Sequence, residues 1–388
     1  VYNTTMKPSL MKIFFFISIL LVVLAANFYV ATRIYQLIPP NLIVRIAFIT
    51  ALTICIGSLF LFFPLHNSIS FTLGGLLYRI GTAWIIAFAY FILIFVIIDL
   101  AKLFNRLFHF VNKDFLYALT HHNFLSLIVI VGSVVLLLFI GNIKYHNKRR
   151  VHFDIETSKL SPHQKSIRVI GISDLHLGYT IGAKELQEWV QIINAEKPDI
   201  VVIGGDLIDN NVKLVKHMEL DKILRKLEAP MGVYACLGNH EYIAGVKESI
   251  DFHNRANIKI LQDTTIEVTD NLTLIGRDDV HNPNRKPLSK VVNGVNNGSF
   301  KLLLDHQPSN LEEAENQNID LQFSGHTHNG QIYPITLVVE AMFENPHGMI
   351  KKGLTKVYVS SGLGIWGGKF RLGTQSEYVV FDIVHKQP

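Results

Sequence analysis

The distribution of apolar residues divides the chain into two parts. Before Lys144, apolar runs are long and charges are sparse, whereas the remainder alternates short apolar runs with polar, glycine-rich turns. A helix that crosses a bilayer needs about 20 mostly apolar residues. Four stretches meet this requirement and predict four transmembrane helices, at residues 11–31, 42–63, 81–100 and 124–143.

After Lys144 the pattern predicts an α/β domain. Short apolar runs are each followed by a helical stretch, which is typical of parallel strands joined by helical crossovers. Strands with less helix between them come next and predict a second sheet packed on the first. Strands are expected at 167–173, 199–203, 232–237, 265–269, 272–275, 300–304, 321–323, 356–360 and 378–384, and helices at 183–196, 212–227 and 246–254.

These patterns predict three segments. Residues 1–143 form a membrane domain, residues 144–165 a basic linker, and residues 166–388 the α/β domain. The linker is basic because it opens with Lys144, Lys148, Arg149 and Arg150.

Composition and charge exclude several classes of protein. Charged residues make up 17% of the 388 positions, against about 25% in soluble proteins, and this excludes a disordered chain and a coiled coil. The two cysteines, Cys55 and Cys236, lie in an apolar run and a predicted strand, so no disulfide framework is expected. The net charge of +5 is typical of basic loops facing anionic lipid, and no nucleic-acid partner is expected.

The membrane half is interpreted as an anchor, because no charged residue lies at mid-span. An even number of spans places both termini on one side. Lysines and arginines near the helix ends favour a cytoplasmic C-terminal half. The favoured side carries Lys7, Lys12, Arg79, Lys144, Lys148, Arg149 and Arg150, and the other carries Arg33, Arg45, Lys102, Arg106 and Lys113.

Metal-binding residue types follow the predicted strands, at the sheet edge where α/β proteins bind ligands. Residues i and i+2 of an extended segment point the same way, so Asp174 and His176 are expected to face one ion or two adjacent ions, as are His326 and His328. Each motif alone arises by chance, and a lone histidine is more often a surface or core group, but the ordered set favours metal binding. The set is Asp174, His176, Asp206, Asn239, His240, His306, His326 and His328.

This set resembles the five motifs of the calcineurin-like metallophosphoesterases, over about residue 166 to the C-terminus. Residues 325–332, 276–279 and 360–364 resemble the membrane-associated YkuE-like branch, which includes UDP-2,3-diacylglucosamine-type hydrolases. Asn329 stands where that branch usually has glycine. The motifs are Asp174-x-His176, Gly205-Asp206, Gly238-Asn239-His240-Glu241, His306 and Gly325-His326-Thr327-His328.

The resemblance implies a four-layer α/β/β/α sandwich, preceded here by the four transmembrane helices, and two divalent metal ions (Mn, Fe or Zn). It implies that Asp206 bridges the ions and that His240 is a catalytic residue and not a ligand. The first ion is then held by Asp174, His176, Asp206 and His328, and the second by Asp206, Asn239, His306 and His326.

The function so implied is hydrolysis of a phosphoester or pyrophosphate by a metal-bridging hydroxide. The membrane half suggests a lipid-linked or membrane-proximal phosphorylated substrate, such as a UDP-2,3-diacylglucosamine-like molecule. The protein is expected in a bacterial-type plasma (inner) membrane with its catalytic domain cytoplasmic. The alternatives are a non-catalytic scaffold with this fold, and a membrane sensor or transporter with a phosphatase tail.

Supporting roles are expected for several residues near these motifs. Asp305 is a candidate for orienting His306, and Glu241 for supporting the site or forming a salt bridge. Arg371, Lys369 and Trp366 follow a glycine-rich turn and are candidates for contact with a phosphate.

Overall fold

The computed structural model describes residues 10–66, 68–160 and 166–386, without the side chains of residues 10–13, 15 and 16. The chain divides into a helical unit, Val1–Ile69 with Leu76–Phe139, and an α/β unit, Ser70–Gly75 with Ile140–Pro388. Lys7 and the last five residues of the expected linker lie outside the described residues. The division of the chain at residues 143 and 165 stays a prediction.

Long apolar helices build the helical unit. Within the described ranges, four helices are long and apolar enough to cross a membrane, as the sequence predicts. The third is longer than expected, because helical backbone continues beyond its apolar centre at both ends. The helices are α1 (Leu10–Leu37), α2 (Leu42–Leu65), α3 (Phe71–Phe108), the short α4 (Lys113–Thr120) and α5 (Phe124–His146), whose last turns belong to the α/β unit.

The helices of the α/β unit are shorter. The helix expected at 212–227 is two helices, because Glu219 has a φ of 53° and a left-handed residue interrupts a right-handed helix. The helices are α6 (Ala183–Ala195), α7 (Val212–His217), α8 (Leu220–Leu224), α9 (Asn239–Ala244), α10 (Val246–Arg255), α11 (Leu288–Val291), α12 (Leu311–Asn316) and α13 (Ile335–Met342), with a 3-10 turn at His328–Gly330.

The described strands form two six-stranded sheets, ordered β1-β12-β2-β3-β4-β5 and β10-β11-β9-β8-β7-β6. Strands β2 to β5 are parallel, as predicted from the alternation of strand and helix. The strands are β1 (Arg149–Thr157), β2 (Ile167–Ile172), β3 (Ile200–Gly204), β4 (Val233–Cys236), β5 (Lys259–Ile260), β6 (Thr264–Thr269), β7 (Leu272–Gly276), β8 (Phe300–Leu304), β9 (Leu321–Ser324), β10 (Gly348–Lys352), β11 (Thr355–Val359) and β12 (Glu377–His385).

Residues 144–165, expected as a basic linker, hold the end of α5 and all of β1. Strand β1 pairs in parallel with β12 along its whole length. It joins the sheet because alternate side chains pack inward: Ile155 is buried, and the ring of Phe153 stacks on that of Phe381 at 6.1 Å.

Side chains alternate across the first sheet and separate the core into layers. On β2, Ile170 and Ile172 face the cluster formed with α6, α8 and α10, whereas Ile167 and Val169 face the second sheet. A further cluster covers the outer side of the second sheet, where α11 and α12 contribute Leu288 and Ala314. The predicted α/β/β/α sandwich is therefore confirmed.

The two sheets approach closely where the site-bearing strands lie. The ring of Phe323 on β9 faces Gly171 on β2 and Gly204 on β3. A Cβ atom at either glycine would lie 2.9 Å from that ring. The glycines therefore allow the carboxyl ends of strands from both sheets to meet at one place.

Candidate metal centre

All eight predicted site residues follow the carboxyl ends of five strands, three in the first sheet and two in the second. Their side chains gather into overlapping groups of possible metal ligands. Asp174 and His176 follow β2, Asp206 follows β3, Asn239 and His240 follow β4, His306 follows β8, and His326 and His328 follow β9.

The backbone at these positions is not extended as expected. Asp174, His176, Asp206, His326 and His328 all have φ between 46° and 71°. Residues other than glycine rarely adopt this conformation, and such residues cluster at functional sites. The paired residues therefore converge through left-handed turns and not through the i, i+2 alternation of a strand.

The first donor group contains Asp174, His176 and His328. The two imidazoles face each other with their Nε2 atoms 3.0 Å apart. Asp174 Oδ1 lies 3.6 Å from His328 Nε2, and Asp206 Oδ2 lies 3.7 Å from His176 Nε2. Asp174 and the two imidazoles thus converge, and Asp206 lies beside His176.

The second donor group contains Asp206, His306 and His326. The side-chain oxygen of Asn239 lies between the two rings, 3.1 Å from His306 Nε2 and 2.9 Å from His326 Nδ1. Asp206 Oδ2 is 3.2 Å from His306 Nε2. This group offers one carboxylate, one amide oxygen and two imidazoles.

The Oδ2 atom of Asp206 is common to both groups. It lies within 4 Å of one histidine nitrogen from each, on His176 and His306. The other oxygen, Oδ1, accepts a hydrogen bond of 2.9 Å from the backbone N–H of His240, which fixes the carboxylate orientation. One carboxylate oxygen thus faces histidines of both donor groups.

These donors fit divalent metal ions. The Nδ1 atom of His306 lies 2.7 Å from the carbonyl of Gly204. A carbonyl only accepts, so Nδ1 carries the proton and Nε2 is left with a lone pair, as in metal-bound histidines. Asp174 Oδ2 is buried and forms no hydrogen bond among the described residues. A bound cation would compensate its negative charge. Mixed nitrogen and oxygen donors suit Mn, Fe or Zn.

The carboxylates and histidines of this cluster shift one another's pKa values. Burial raises the pKa of Asp174. Burial also acts to raise that of Asp206, but His306 and the other histidines outweigh it and hold the Asp206 pKa well below its usual value. The carboxylates in turn overcome burial and raise the pKa of His306. Burial and the neighbouring His176 lower that of His328. Without a metal, the carboxylates hold a proton on His306 that a cation would displace.

His240 lies at the edge of the centre, and its side chain is 14% exposed. Its Nδ1 atom is 2.6 Å from the carbonyl of Asp209, so Nδ1 donates its proton there and Nε2 is the nitrogen that titrates. Burial lowers the pKa of His240, but Asp209 and Asp206 outweigh it and raise the value to about 9. The ring packs edge-to-face on His176 at 4.5 Å.

A model of the calcineurin-like phosphoesterase family matches residues 167–330. A metallophosphoesterase of Campylobacter jejuni is 31% identical over 69% of this chain and 73% of its own length. The chain belongs to the calcineurin-like metallophosphoesterases. Members of this family bind divalent metals and hydrolyse phosphorylated substrates.

Some relatives are also named as membrane proteins. A Danio rerio protein named as a transmembrane protein with a metallophosphoesterase domain is 32% identical over 61% of this chain and 57% of its own length. The metallophosphoesterase YkuE of Bacillus subtilis is 30% identical over 58% of this chain and 82% of its own length. A membrane metallophosphoesterase is thus supported, whereas the kind of membrane and the cytoplasmic side stay predictions.

Glu241 supports the metallophosphoesterase centre through the backbone and forms no ion pair among the described residues. Its carboxylate accepts hydrogen bonds from the N–H groups of Asp206, Ile208 and Gly238, at 3.0, 3.0 and 2.8 Å. Burial, followed by the nearby Asp206, raises the pKa of Glu241 to about 7. One buried side chain therefore joins the loops after β3 and β4. Glutamate three residues after Gly238 carried a sequence signal for this role, because a glutamate at that helix position accepts from the N-cap N–H as in one half of a capping box.

Asp209, which was not among the predicted site residues, also lies at the centre. Its Oδ1 atom lies 3.7 Å from His176 Nδ1 and 3.4 Å from His240 Nδ1. The carboxylate thus places a negative charge beside one predicted ligand and one predicted catalytic histidine. Its position three residues after Asp206 is the only hint in the chain.

Two secondary expectations are wrong. Asp305 does not orient His306: its carboxylate is 2.6 Å from Arg285, and His306 is held by the Gly204 carbonyl instead. Arg371 is fully buried and has no access to a phosphate from solvent. Both errors arise because adjacency in sequence does not fix the direction of a side chain.

Arg371 instead positions the loop that carries His328. Its guanidinium donates to the carbonyl oxygens of His328 at 2.7 Å, Ser361 at 2.5 Å and Gly364 at 3.0 Å. Its backbone N–H donates to the carbonyl of Gly141 at 2.9 Å, in the last turns of α5. Within the α/β unit, a buried arginine thus connects the membrane-exit helix to a predicted metal ligand.

We expect Glu241→Gln to weaken metal retention and to lower the melting temperature. The amide nitrogen of glutamine would face a backbone N–H, so at least one buried donor loses its acceptor, at a cost of about 1–3 kcal/mol. For a domain of more than 150 residues this corresponds to a decrease of about 2–12 °C.

Melting curves with and without added Mn²⁺ measure this effect. The matched control is Glu248→Gln, a neutralised glutamate that is exposed on α10. Equal melting temperatures and metal contents for the two variants would contradict the role assigned to Glu241.

Proposed function

We propose that the protein is a membrane-anchored, dinuclear phosphoesterase that hydrolyses a phosphoester or pyrophosphate bond in a lipid-linked or membrane-proximal substrate. The observation that carries the proposal is the position of Asp206 Oδ2 between a histidine of each donor group. This arrangement is what two adjacent cations require from a shared carboxylate.

The proposed ligands divide into two sets that share Asp206. When bound, the ions supply Lewis acidity to the phosphoryl oxygens and lower the pKa of water. The protein contributes fixed directions for these ligands, since Gly204, Glu241 and Arg371 hold them through backbone contacts. The first set is Asp174, His176, Asp206 and His328, and the second is Asp206, Asn239, His306 and His326.

His240 is the proposed proton donor to the leaving-group oxygen. Because Nδ1 is committed to the Asp209 carbonyl, Nε2 is the atom available to a substrate. Asp206 fixes the backbone of the same residue through its N–H group, which places the ring beside the bridging carboxylate. A positioned histidine of this kind contributes about 10²–10⁴-fold to a rate.

An apolar helix next to the centre supports a lipid-linked substrate. Helix α13 begins shortly after the metal-site turn His328–Gly330 and packs against it. Its exposed side chains include Leu337, Val338 at 53% and Met342 at 70%. An exposed apolar surface beside a site marks an interaction with an apolar partner, and in a membrane-anchored enzyme that partner is the acyl region of a lipid.

We expect His240→Ala to lower the hydrolysis rate of a soluble aryl phosphodiester by about 10²-fold or more, while the protein retains its metals. Asp206→Ala should lose both the activity and the bound metals, because it removes the shared ligand. Activity assays together with elemental analysis of the purified full-length protein measure these outcomes.

The control is His385→Ala, which removes a histidine at the end of β12, outside both donor groups. It should leave activity and metal content unchanged. Full activity in His240→Ala would exclude the proposed proton donor, and loss of metal from that variant would make His240 a ligand instead.

We expect Val338→Glu to lower the hydrolysis of a phospholipid-like substrate in mixed micelles by about tenfold, because a buried apolar contact of about 1.5–3 kcal/mol is replaced by a charge. The rate on a soluble aryl phosphodiester should not change. The ratio of the two rates is the measured quantity.

The matched control is Leu354→Glu, at a highly exposed leucine between β10 and β11. It adds the same charge away from α13 and should leave both rates unchanged. An unaltered ratio in Val338→Glu would show that α13 does not contact the lipid.

A further inference from the structure

A pocket in the helical unit combines apolar walls with a cationic end. It has a volume of about 420 Å³ and is lined by α1, α3, α4 and α5. Pockets for small ligands commonly measure about 300–1,000 Å³. Its apolar wall includes Phe95, Ile98, Leu119 and Val129.

The charges at the polar end do not balance. Arg33 Nη2 donates to Asp99 Oδ2 at 2.5 Å, and the Tyr29 hydroxyl donates to the same oxygen at 2.6 Å. The negative charge of Asp99 therefore neutralises the positive charge of Arg33. Lys102, one turn beyond Asp99 on α3, also lines the pocket and forms no hydrogen bond or ion pair with any described residue. The pocket is left with one excess positive charge.

This excess charge calls for an anion. Charged side chains within membrane helices are costly unless they are paired, and unpaired ones mark ligand sites. A lysine at a helix end commonly extends toward the aqueous interface, but Lys102 is half-buried beside the Arg33–Asp99 pair. Polar groups of Gln36 and Ser126 line the same pocket, and each is able to donate a hydrogen bond to an oxygen anion.

We propose that this pocket binds one anionic phospholipid, with its phosphate at Lys102 and Arg33 and an acyl chain along the apolar wall. Lysine and arginine side chains bind phosphate groups through charge-assisted hydrogen bonds. The lipid would join α1, α3, α4 and α5 as a structural ligand. This binding is independent of the proposed hydrolysis, since every lining residue belongs to the helical unit.

Native mass spectrometry of the full-length protein in a neutral detergent tests the proposal. The probes are phosphatidylglycerol and phosphatidylcholine with identical acyl chains. We expect one phosphatidylglycerol per chain, bound about tenfold more tightly than phosphatidylcholine. Millimolar inorganic phosphate should not displace it, because the acyl chain supplies much of the affinity. Equal binding of the two lipids would overturn the proposal.

Variants at Lys102 locate the site. Lys102→Met keeps the length of the side chain without its charge and should weaken phosphatidylglycerol binding about fivefold, as one basic residue near an anionic lipid contributes about 1 kcal/mol. Lys102→Arg should restore it. The matched control is Lys113→Met, at an exposed lysine that does not line the pocket.

Hydrolysis of a soluble aryl phosphodiester checks that each variant is folded, and none of these substitutions should change it. Equal lipid affinities for the Lys102→Met and Lys113→Met variants would overturn the assignment, whatever the outcome of the hydrolysis experiments. Displacement of the lipid by inorganic phosphate would overturn it as well.

Discussion

The buried carboxylate of Asp206 is the group on which both halves of the metal centre depend. Its Oδ2 atom lies between histidines supplied by different sheets, His176 after β2 and His306 after β8. A buried carboxylate is unfavourable unless positive charge and hydrogen-bond donors surround it. Here the Glu241 carboxylate accepts from its backbone N–H, the backbone N–H of His240 donates to Oδ1, and Oδ2 faces a histidine of each donor group.

The close approach of the two sheets makes this arrangement possible. The contact of Phe323 with Gly171 and Gly204 brings strands of both sheets together near their carboxyl ends. Gly238 has a similar role at the site, because a Cβ atom there would lie 2.7 Å from the backbone nitrogen of Asp206. These glycines, which lack a Cβ atom, thus leave room for the large polar side chains that converge at the site.

Apolar runs predicted nine of the strands, and the Asp, His and Asn residues at their ends predicted a set of donors that the fold brings together. The backbone geometry at those residues was not predicted. The left-handed turns at Asp174 and His328 could not be derived from spacing, because aspartate and histidine adopt this conformation more often than most residues but still only in a small minority of positions. Asn329, in place of the glycine usual in the related branch, does fit its φ of 49°, since asparagine tolerates left-handed backbone.

Roles that depend on partners far away in the sequence were harder to predict from the sequence. Arg371 follows a glycine-rich turn, which is also typical of a phosphate site, and only the fold shows that it faces backbone carbonyls. Strand β1 was missed because its basic start resembles a linker, and its pairing partner β12 lies more than 200 residues away. Sequence patterns report local preference, whereas burial and pairing are decided by the whole chain.

If two metal ions share the Asp206 carboxylate, as we propose, X-ray diffraction at the manganese absorption edge should show both of them. Crystals of the Mn²⁺-loaded protein should show two anomalous peaks about 3.5–4 Å apart, both in contact with Asp206 Oδ2. One peak should lie against Asp174, His176 and His328, and the other against Asn239, His306 and His326. A single peak, or two peaks of which only one contacts Asp206, would contradict the account.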